Sequence, residues 1–379
     1  MARQFGDWRV TARVWITTGA QEPGCGRGRH GLWPLTPDPS RGWHAEPVGY
    51  VVFGAGAIGA VVGGRLFQAG FDVTLIARGA HLRALQANGL RLQSPAGDET
   101  VAVASVGHPR EVDWGTKQVV LMAVKSQHSL AALSELAEVA PPETPIVCLQ
   151  NGVANEPAAL RLFPNVHAVS VACPTSHLEP GVVAAWSTPV TGLLDIGRYP
   201  TGIDQVDEGV AADFRAATFS SYPVDDIRRW KNRKLLTNLG NAIEAVCGPC
   251  ERHGPLGDIL LAEGEEVLSA AGLQAATAEE DRDRRADLLQ PGKISGQTRP
   301  GGSSWQSLQR ATGDIETDYL NGEIVLLGRI HAVATPANDL LQRLARELAV
   351  TRDPPGATPA AVILERLEKA RQAVGARFV

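Results

Sequence analysis

Five cysteines in 379 residues, an odd number thinly spread, are too few to staple a fold, and no secretory signal precedes them. That usage fits a reducing cytosol. A membrane span needs about 18 consecutive apolar residues, and every apolar run here is interrupted sooner. No membrane partner is expected. Positive charge is not in excess either: 36 Lys and Arg stand against 41 Asp and Glu, a net charge of −5, so no global field draws the chain to a phosphate polymer. Nucleic acid is therefore not expected as a partner. What is present is ordinary globular material, 44% hydrophobic and 20% charged, enough for two to three domains at about 150 residues each.

Aromatic residues are sparse and unevenly placed. Four of the eight Trp (Trp8, Trp15, Trp33 and Trp43) lie in the first 47 residues, a stretch with no helical or strand period. Asp7, Glu22, Asp38 and Glu46 argue against a transit peptide. Residues 1–47 are read as a flexible leader or the product of a start codon placed too far upstream.

Regularity begins at Tyr50. A short apolar run, a glycine cluster, a helix-compatible stretch to Gln68, a Gly70 stop and a second apolar run from Phe71 to Ala77 make one strand–helix–strand unit. Strands are expected again at 101–106, 119–124, 146–149 and 166–172, and helices at 129–140 and 155–163. This alternation predicts a mainly parallel, doubly covered sheet over residues 48–225. After Asp226 the strand signal stops. Helical spacing at 235–246, 315–333 and 336–348, the last opened by Thr335-Pro336 as N-cap and N1, predicts an all-helical domain over 226–350. Residues 351–379 form an extension with no functional reading.

Gly54-x-Gly56-x-x-Gly59 matches the dinucleotide fingerprint, a pattern that 40 glycines in 379 residues would produce roughly 0.4 times by chance. Context decides. Gly26-x-Gly28-x-x-Gly31 also matches but follows no strand, whereas the second match sits between a strand and a helix. Gly54, Ala55, Gly56, Ala57, Ile58 and Gly59 are thus the candidate pyrophosphate loop. An NAD site wants an acidic residue at the end of the second strand; this chain has Ala77 and Arg78 there, and arginine can hold a 2′-phosphate. NADP(H) is the expected cofactor, with Arg78 as a merely solvated loop residue the competing account.

In 230–246, Lys234, Asn238 and Asn241 fall within about 60° of one helix face, apart from the apolar stripe of Leu235, Leu236, Leu239, Ile243 and Val246. A solvated polar face is the plain explanation, but Asn is a mediocre helix former and two of them beside a lysine suggest a site. No metal-ligand set is predicted: Cys247-Gly-Pro-Cys250 closes a helix instead of opening one and is read as a terminating turn with incidental thiols.

Taken together these motifs resemble ketopantoate reductases, the NADPH-dependent 2-dehydropantoate 2-reductases of pantothenate biosynthesis. The resemblance rests on Gly54-Ala-Gly-Ala-Ile-Gly59 with Arg78, Ala123-Val-Lys125, Gln150-Asn151-Gly152, the Lys234 and Asn238 helix, and Ser303-Ser304 followed by Glu316. It implies a Rossmann-type α/β N-terminal domain and an all-helical C-terminal domain with the site between them. Carried over by position, Lys234 is the general acid, Glu316 holds that lysine or the substrate, Asn238, Asn241 and Ser304 bind substrate, and Lys125 and Asn151 meet the nicotinamide end. Two departures stand out: position 242, eight residues after the lysine, is Ala where the family has an amide, and a further Asn beyond this helix is missing. The implied partner is a small 2-keto acid, ketopantoate or a relative; a non-catalytic NADPH sensor and the oligomeric state, a homodimer included, stay open.

Overall fold

The computed structural model describes residues 48–375 except 116 and 295; of residues 250 and 370–375 only the backbone is described. The leader expected at 1–47, the Gly26 motif within it and residues 376–379 lie outside the described residues.

The first half runs β1 (Gly49–Phe53), α1 (Ala57–Gln68), β2 (Asp72–Ile76), α2 (Gly79–Asn88), β3 (Leu90–Ser94), β4 (Gly97–Val101), β5 (Ala104–Val106), β6 (Gln118–Met122), α3 (Ser129–Ala137), β7 (Ile146–Cys148), α4 (Asn155–Leu160), β8 (Val166–Ala172), β9 (Thr175–Ser176), β10 (Val182–Ala185), β11 (Ser187–Pro189), β12 (Leu193–Arg198) and α5 (Gln205–Ala216). Seven of these strands make one sheet in the order β12-β8-β7-β6-β1-β2-β5, parallel throughout except for β12 on β8. β1 is apolar on both faces because both are covered. Tyr50 and Val52 enter one core with α1 and α5, while Val51 and Phe53 enter the other with α3 and α4. Strand order reverses at β1, and Phe53 is level with both Ile76 and Met122. The loops after β1, β2 and β6 therefore emerge at one edge, at the topological switch point where such sheets bind ligands.

The run expected as one strand over 101–106 is divided between two sheets. Val101 ends β4, in a four-stranded sheet ordered β4-β3-β10-β9, and β5 joins the large one.

The second half holds α6 (Ile227–Asn238), α7 (Gly240–Cys247), α8 (Pro255–Ala270), α9 (Ala278–Arg285), α10 (Ser303–Gln309), α11 (Asn321–Ile330), α12 (Pro336–Thr351) and α13 (Ala360–Gly375). Leu235, Leu236, Ile243, Leu260, Ile324 and Leu341 form its core. Four details differ from the sequence reading. A three-residue strand, β13 (Leu289–Pro291), pairs with β11, so this half is not purely helical. Helical periodicity over 315–333 resolves into a short 3-10 turn at Thr317–Tyr319 before α11. Thr335 makes no capping bond; the carboxylate of Glu263 accepts from Ala337 N and Asn338 N instead, at 2.9 and 3.0 Å. Ile363 and Leu367 of α13 are buried in the helical core, so this half extends past residue 350.

Candidate active site

The three glycines of the loop after β1 each answer a different steric demand. Gly54 has φ +106°, and a Cβ on it would lie 2.6 Å from Val124 N, so the chain can turn there only without a side chain. A Cβ on Gly59 would sit 2.2 Å from Gly54 O, which is how closely α1 approaches the loop. At Gly56 nothing lies within 4 Å of a Cβ position. That open space adjoins the N-terminus of α1, whose first turn carries no acidic residue. A clear approach, exposed helix amides and no competing carboxylate fit a pyrophosphate. Ala55 is buried beneath the loop, and Ala57 and Ile58 line the cavity beyond it.

Arg78 caps α2 and is 64% exposed, with its guanidinium bonded to both Glu135 carboxylate oxygens at 2.6 and 2.9 Å. The guanidinium is thus ion-paired rather than merely solvated. A phosphate arriving there competes with Glu135.

A cavity of about 500 Å³ separates the carboxyl edge of the sheet from the helical half, and Ala57, Asn151, Cys173, Lys234, Asn238 and Asn241 all face it. α6 builds the floor. Asp226 starts it by accepting from Arg229 N at 3.3 Å, and its apolar stripe points into the helical core. The opposite face carries Lys231, Lys234 and Asn238, three and four residues apart. Lys231 is buried, donates to Gln150 O at 2.9 Å and ion-pairs with Glu156. Asn238 Nδ2 donates to Asn151 Oδ1 at 2.9 Å. Both bonds fix the Gln150-Asn151-Gly152 turn against α6. Gly152 there has φ +77° and no room for a side chain, because a Cβ would lie 2.9 Å from Tyr319 O.

Lys234 Nζ has no hydrogen bond or ion pair among the described residues. Burial, then the like charges of Arg285 and Arg252, bring its pKa from the usual lysine range down to about 7. Cys173, the thiol facing the same cavity, is pushed up to about 12 by burial and is no nucleophile near neutrality.

The predicted helix is interrupted at this point, where Leu239 N donates to Leu236 O and Ala242 N to Leu239 O, three residues back instead of four. Leu239 separates α6 from α7, and Asn241 on α7 is committed within the protein: Nδ2 donates to Ser303 Oγ at 3.3 Å and Oδ1 accepts from Arg252 at 2.8 Å. Ala242 packs in the helical core and does not face the cavity. Ser303 lines the cavity; Ser304 is 2% exposed, its Oγ buried without a partner, and it does not. The serine that faces the cavity is thus Ser303, one residue before the one the resemblance implied.

Glu316 also departs from expectation. Its Oε1 accepts from Ser126 N at 2.9 Å and Ser126 Oγ at 2.7 Å, and it does not line the cavity of Lys234. Lys125, at the end of β6, donates to the carbonyl of Asp314 at 3.1 Å and pairs with its carboxylate at 3.3 Å. His128 Nε2 lies 3.0 Å from the same carboxylate. Asp314 and Glu316 therefore fasten the loop after β6 to the helical half. Sequence reasoning missed Lys231, Arg252, Arg285, Arg299 and Asp314; only Lys231, one turn before Lys234, carried a periodic signal.

Cys247 ends α7, Gly248 follows with φ +102° and Pro249 opens a 3-10 turn, the terminating arrangement expected of this segment. The only metal-like cluster among the described residues is His167, Asp204 and Asp207. Its atoms are engaged in the capping box of α5 and in bonds to Asn165 and Arg198.

The family pattern of ketopantoate reductase PanE/ApbA matches residues 50–200, and that of its C-terminal domain residues 226–349. The chain is 31% identical over 330 residues to the 2-dehydropantoate 2-reductase of Mesorhizobium japonicum, covering 79% of this chain and 98% of that protein. The enzyme of the same name from Pyrococcus horikoshii is 27% identical over 313 residues, 78% of this chain and 95% of its own. Among solved structures, a PanE/ApbA family ketopantoate reductase from Ralstonia eutropha JMP134 superposes with a TM-score of 0.66 at 30% identity, covering 80% of this chain and 99% of that one. D-Mandelate dehydrogenase, solved with NADH and anilino(oxo)acetate, shares the fold with a TM-score of 0.68 at 20% identity, over 80% of this chain and 99% of its own. No described helix is long and apolar enough to cross a membrane. A sheet with its dinucleotide loop, a helical half and a lysine facing the cleft between them are joined here by sequence identity over nearly the whole length of known enzymes, and the chain belongs to the ketopantoate reductase family of oxidoreductases.

Proposed function

We propose that the protein reduces a 2-keto acid with NADPH, converting ketopantoate to pantoate, with Lys234 as the general acid. The observation that carries this reading is an unpartnered lysine ammonium, its pKa near 7, facing the cavity that Ala57 of the glycine-loop helix and Asn151 also line. A group that must give a proton near neutrality works best at such a value. The names of relatives, 2-dehydropantoate 2-reductase, support ketopantoate as the substrate and reduction as the direction.

Gly54, Gly56 and Gly59 with the α1 N-terminus would hold the pyrophosphate, Arg78 the 2′-phosphate, and Lys125 and Asn151 the nicotinamide end. When bound, the cofactor would supply the hydride that reduces C2 of the keto acid. Lys234 then delivers its proton to the carbonyl oxygen, and its charge stabilises negative charge developing there. Asn238 holds Asn151 in register across the cleft. Glu316 acts through Ser126, positioning the loop next to Lys125, and has no direct role at the reacting atoms. The test is NADPH oxidation with ketopantoate by the purified protein. Turnover that disappears in Lys234→Ala while NADPH still binds supports the reading; equal turnover in both proteins contradicts it.

A further inference from the structure

This step rests on the reading above and concerns how the keto acid is recognised. The cavity of Lys234 is rich in cations and poor in free amides. Arg252, Arg285 and Arg299 face it with Lys234, against a single carboxylate, Glu244. Arg252 already serves that carboxylate, binding Glu244 Oε1 at 2.8 Å as well as Asn241 and Thr237 O. The other two are different. Arg285 uses only Nε, on Asp281 at 2.9 Å, and Arg299 has no hydrogen bond or ion pair among the described residues. Of the amides that could read a neutral hydroxyl, Asn238 has its Nδ2 taken by Asn151 Oδ1 and keeps only its Oδ1, Asn241 is bonded at both ends by Ser303 and Arg252, and Ser304 is turned away from the cavity.

A 2-keto acid carries its carboxylate on the carbon next to the reacting carbonyl. A general acid at that carbonyl therefore needs a cation beside it to take the carboxylate, and a guanidinium suits this because it bonds both oxygens in one plane. We infer that Arg285 and Arg299 hold the carboxylate of the keto acid, and that the site selects its substrate by this charge with little regard to a hydroxyl at the far end. Arg285 lies close enough to Lys234 that, after burial, its charge is the first of those that lower the lysine's pKa. The inference places the carboxylate on two residues outside every motif that carries the family resemblance.

The experiment combines kinetics with product binding. In NADPH oxidation assays, Arg299→Gln and Arg285→Gln raise the KM of ketopantoate about tenfold or more and change kcat by less than about threefold. Arg299→Lys recovers part of the loss. 3-Methyl-2-oxobutanoate, which lacks the 4-hydroxyl, has a kcat/KM within about tenfold of ketopantoate. Calorimetric titration of pantoate in the presence of NADP⁺ shows the same arginine dependence without needing turnover. The inference is overturned if neither substitution moves the keto-acid KM or the pantoate Kd, if only the KM of NADPH moves, if the missing hydroxyl costs more than about tenfold, or if the parent binds no pantoate. A parent that reduces no keto acid yet binds pantoate through these arginines leaves this inference standing and removes the reductase reading alone.

Discussion

The two sides of the cleft are made differently. On the sheet side the cofactor loop is backbone: three glycines, an open approach at Gly56 and a helix end with no acid in its first turn. On the helical side the site is side chains, and most of them are bonded to one another, Asn238 to Asn151, Asn241 to Ser303 and Arg252, Arg252 to Glu244. A backbone site is fixed by chain geometry and is readable from glycine spacing. A side-chain site depends on which long-range partner each group finds, and spacing reports direction only. Lys234 and Arg299 are the exceptions, since they lie on the built side and have no hydrogen bond or ion pair among the described residues.

The sharpest way to break the backbone side is Gly59→Leu. Its side chain would meet Gly54 O, already 2.2 Å from a Cβ, so cofactor affinity measured by NADPH fluorescence titration should fall beyond detection. On the built side the largest structural effect is expected from Lys231→Met. That change leaves Glu156 charged and buried without its partner, and the loss should be about 3 to 5 kcal/mol in denaturant unfolding, with asparagine-turn contacts weakened as well. A loss under about 1 kcal/mol would contradict the pairing.

Smaller effects sharpen the cofactor end. Arg78→Ala should weaken NADPH by roughly 1.5 to 3 kcal/mol of a charge-assisted contact, less whatever the Glu135 pair already takes, while NADH changes little. Glu135→Gln should strengthen NADPH a few-fold by freeing the guanidinium. Equal affinity of the parent for both cofactors would remove Arg78 from the phosphate. The smallest effect belongs to the start of α12: Thr335→Ala should cost less than about 0.5 kcal/mol because its side chain caps nothing, whereas Glu263→Ala should cost about 1 kcal/mol or more.

That last pair shows what the sequence could and could not tell. Thr335-Pro336 reads as a cap because local chemistry favours it, but Glu263, 74 residues away from Ala337 in sequence, takes the amides. The sheet was legible for the opposite reason: β1, β7 and, after Gln118, β6 are apolar on both faces because each is covered twice, so strand and burial give the same signal. α6 was legible through its stripe. Its interruption at Leu239 was not, because Leu239 keeps helical angles, φ −57° and ψ −34°, and only the hydrogen bonding changes. Glu316 and Ser304 had the right spacing for the family site, yet Ser126 takes one and burial the other. Arg285 and Arg299 had no pattern at all, one on a charged helix and one in a loop, and only the closed fold brings them to Lys234.

The central claim is that Lys234 gives the proton, and kcat/KM for ketopantoate reduction as a function of pH tests it most directly. Lys234 has a folded pKa of about 7, below its unfolded value, so it is charged and able to donate below that pH and loses its proton above it. The parent should show kcat/KM level in acid and falling about tenfold per pH unit above about pH 7. Lys234→Ala should be lower by about 10² to 10⁴ and should lack that limb. A parent profile that stays level to pH 9, or a Lys234→Ala protein with the parent's rate and the parent's falling limb, contradicts the account.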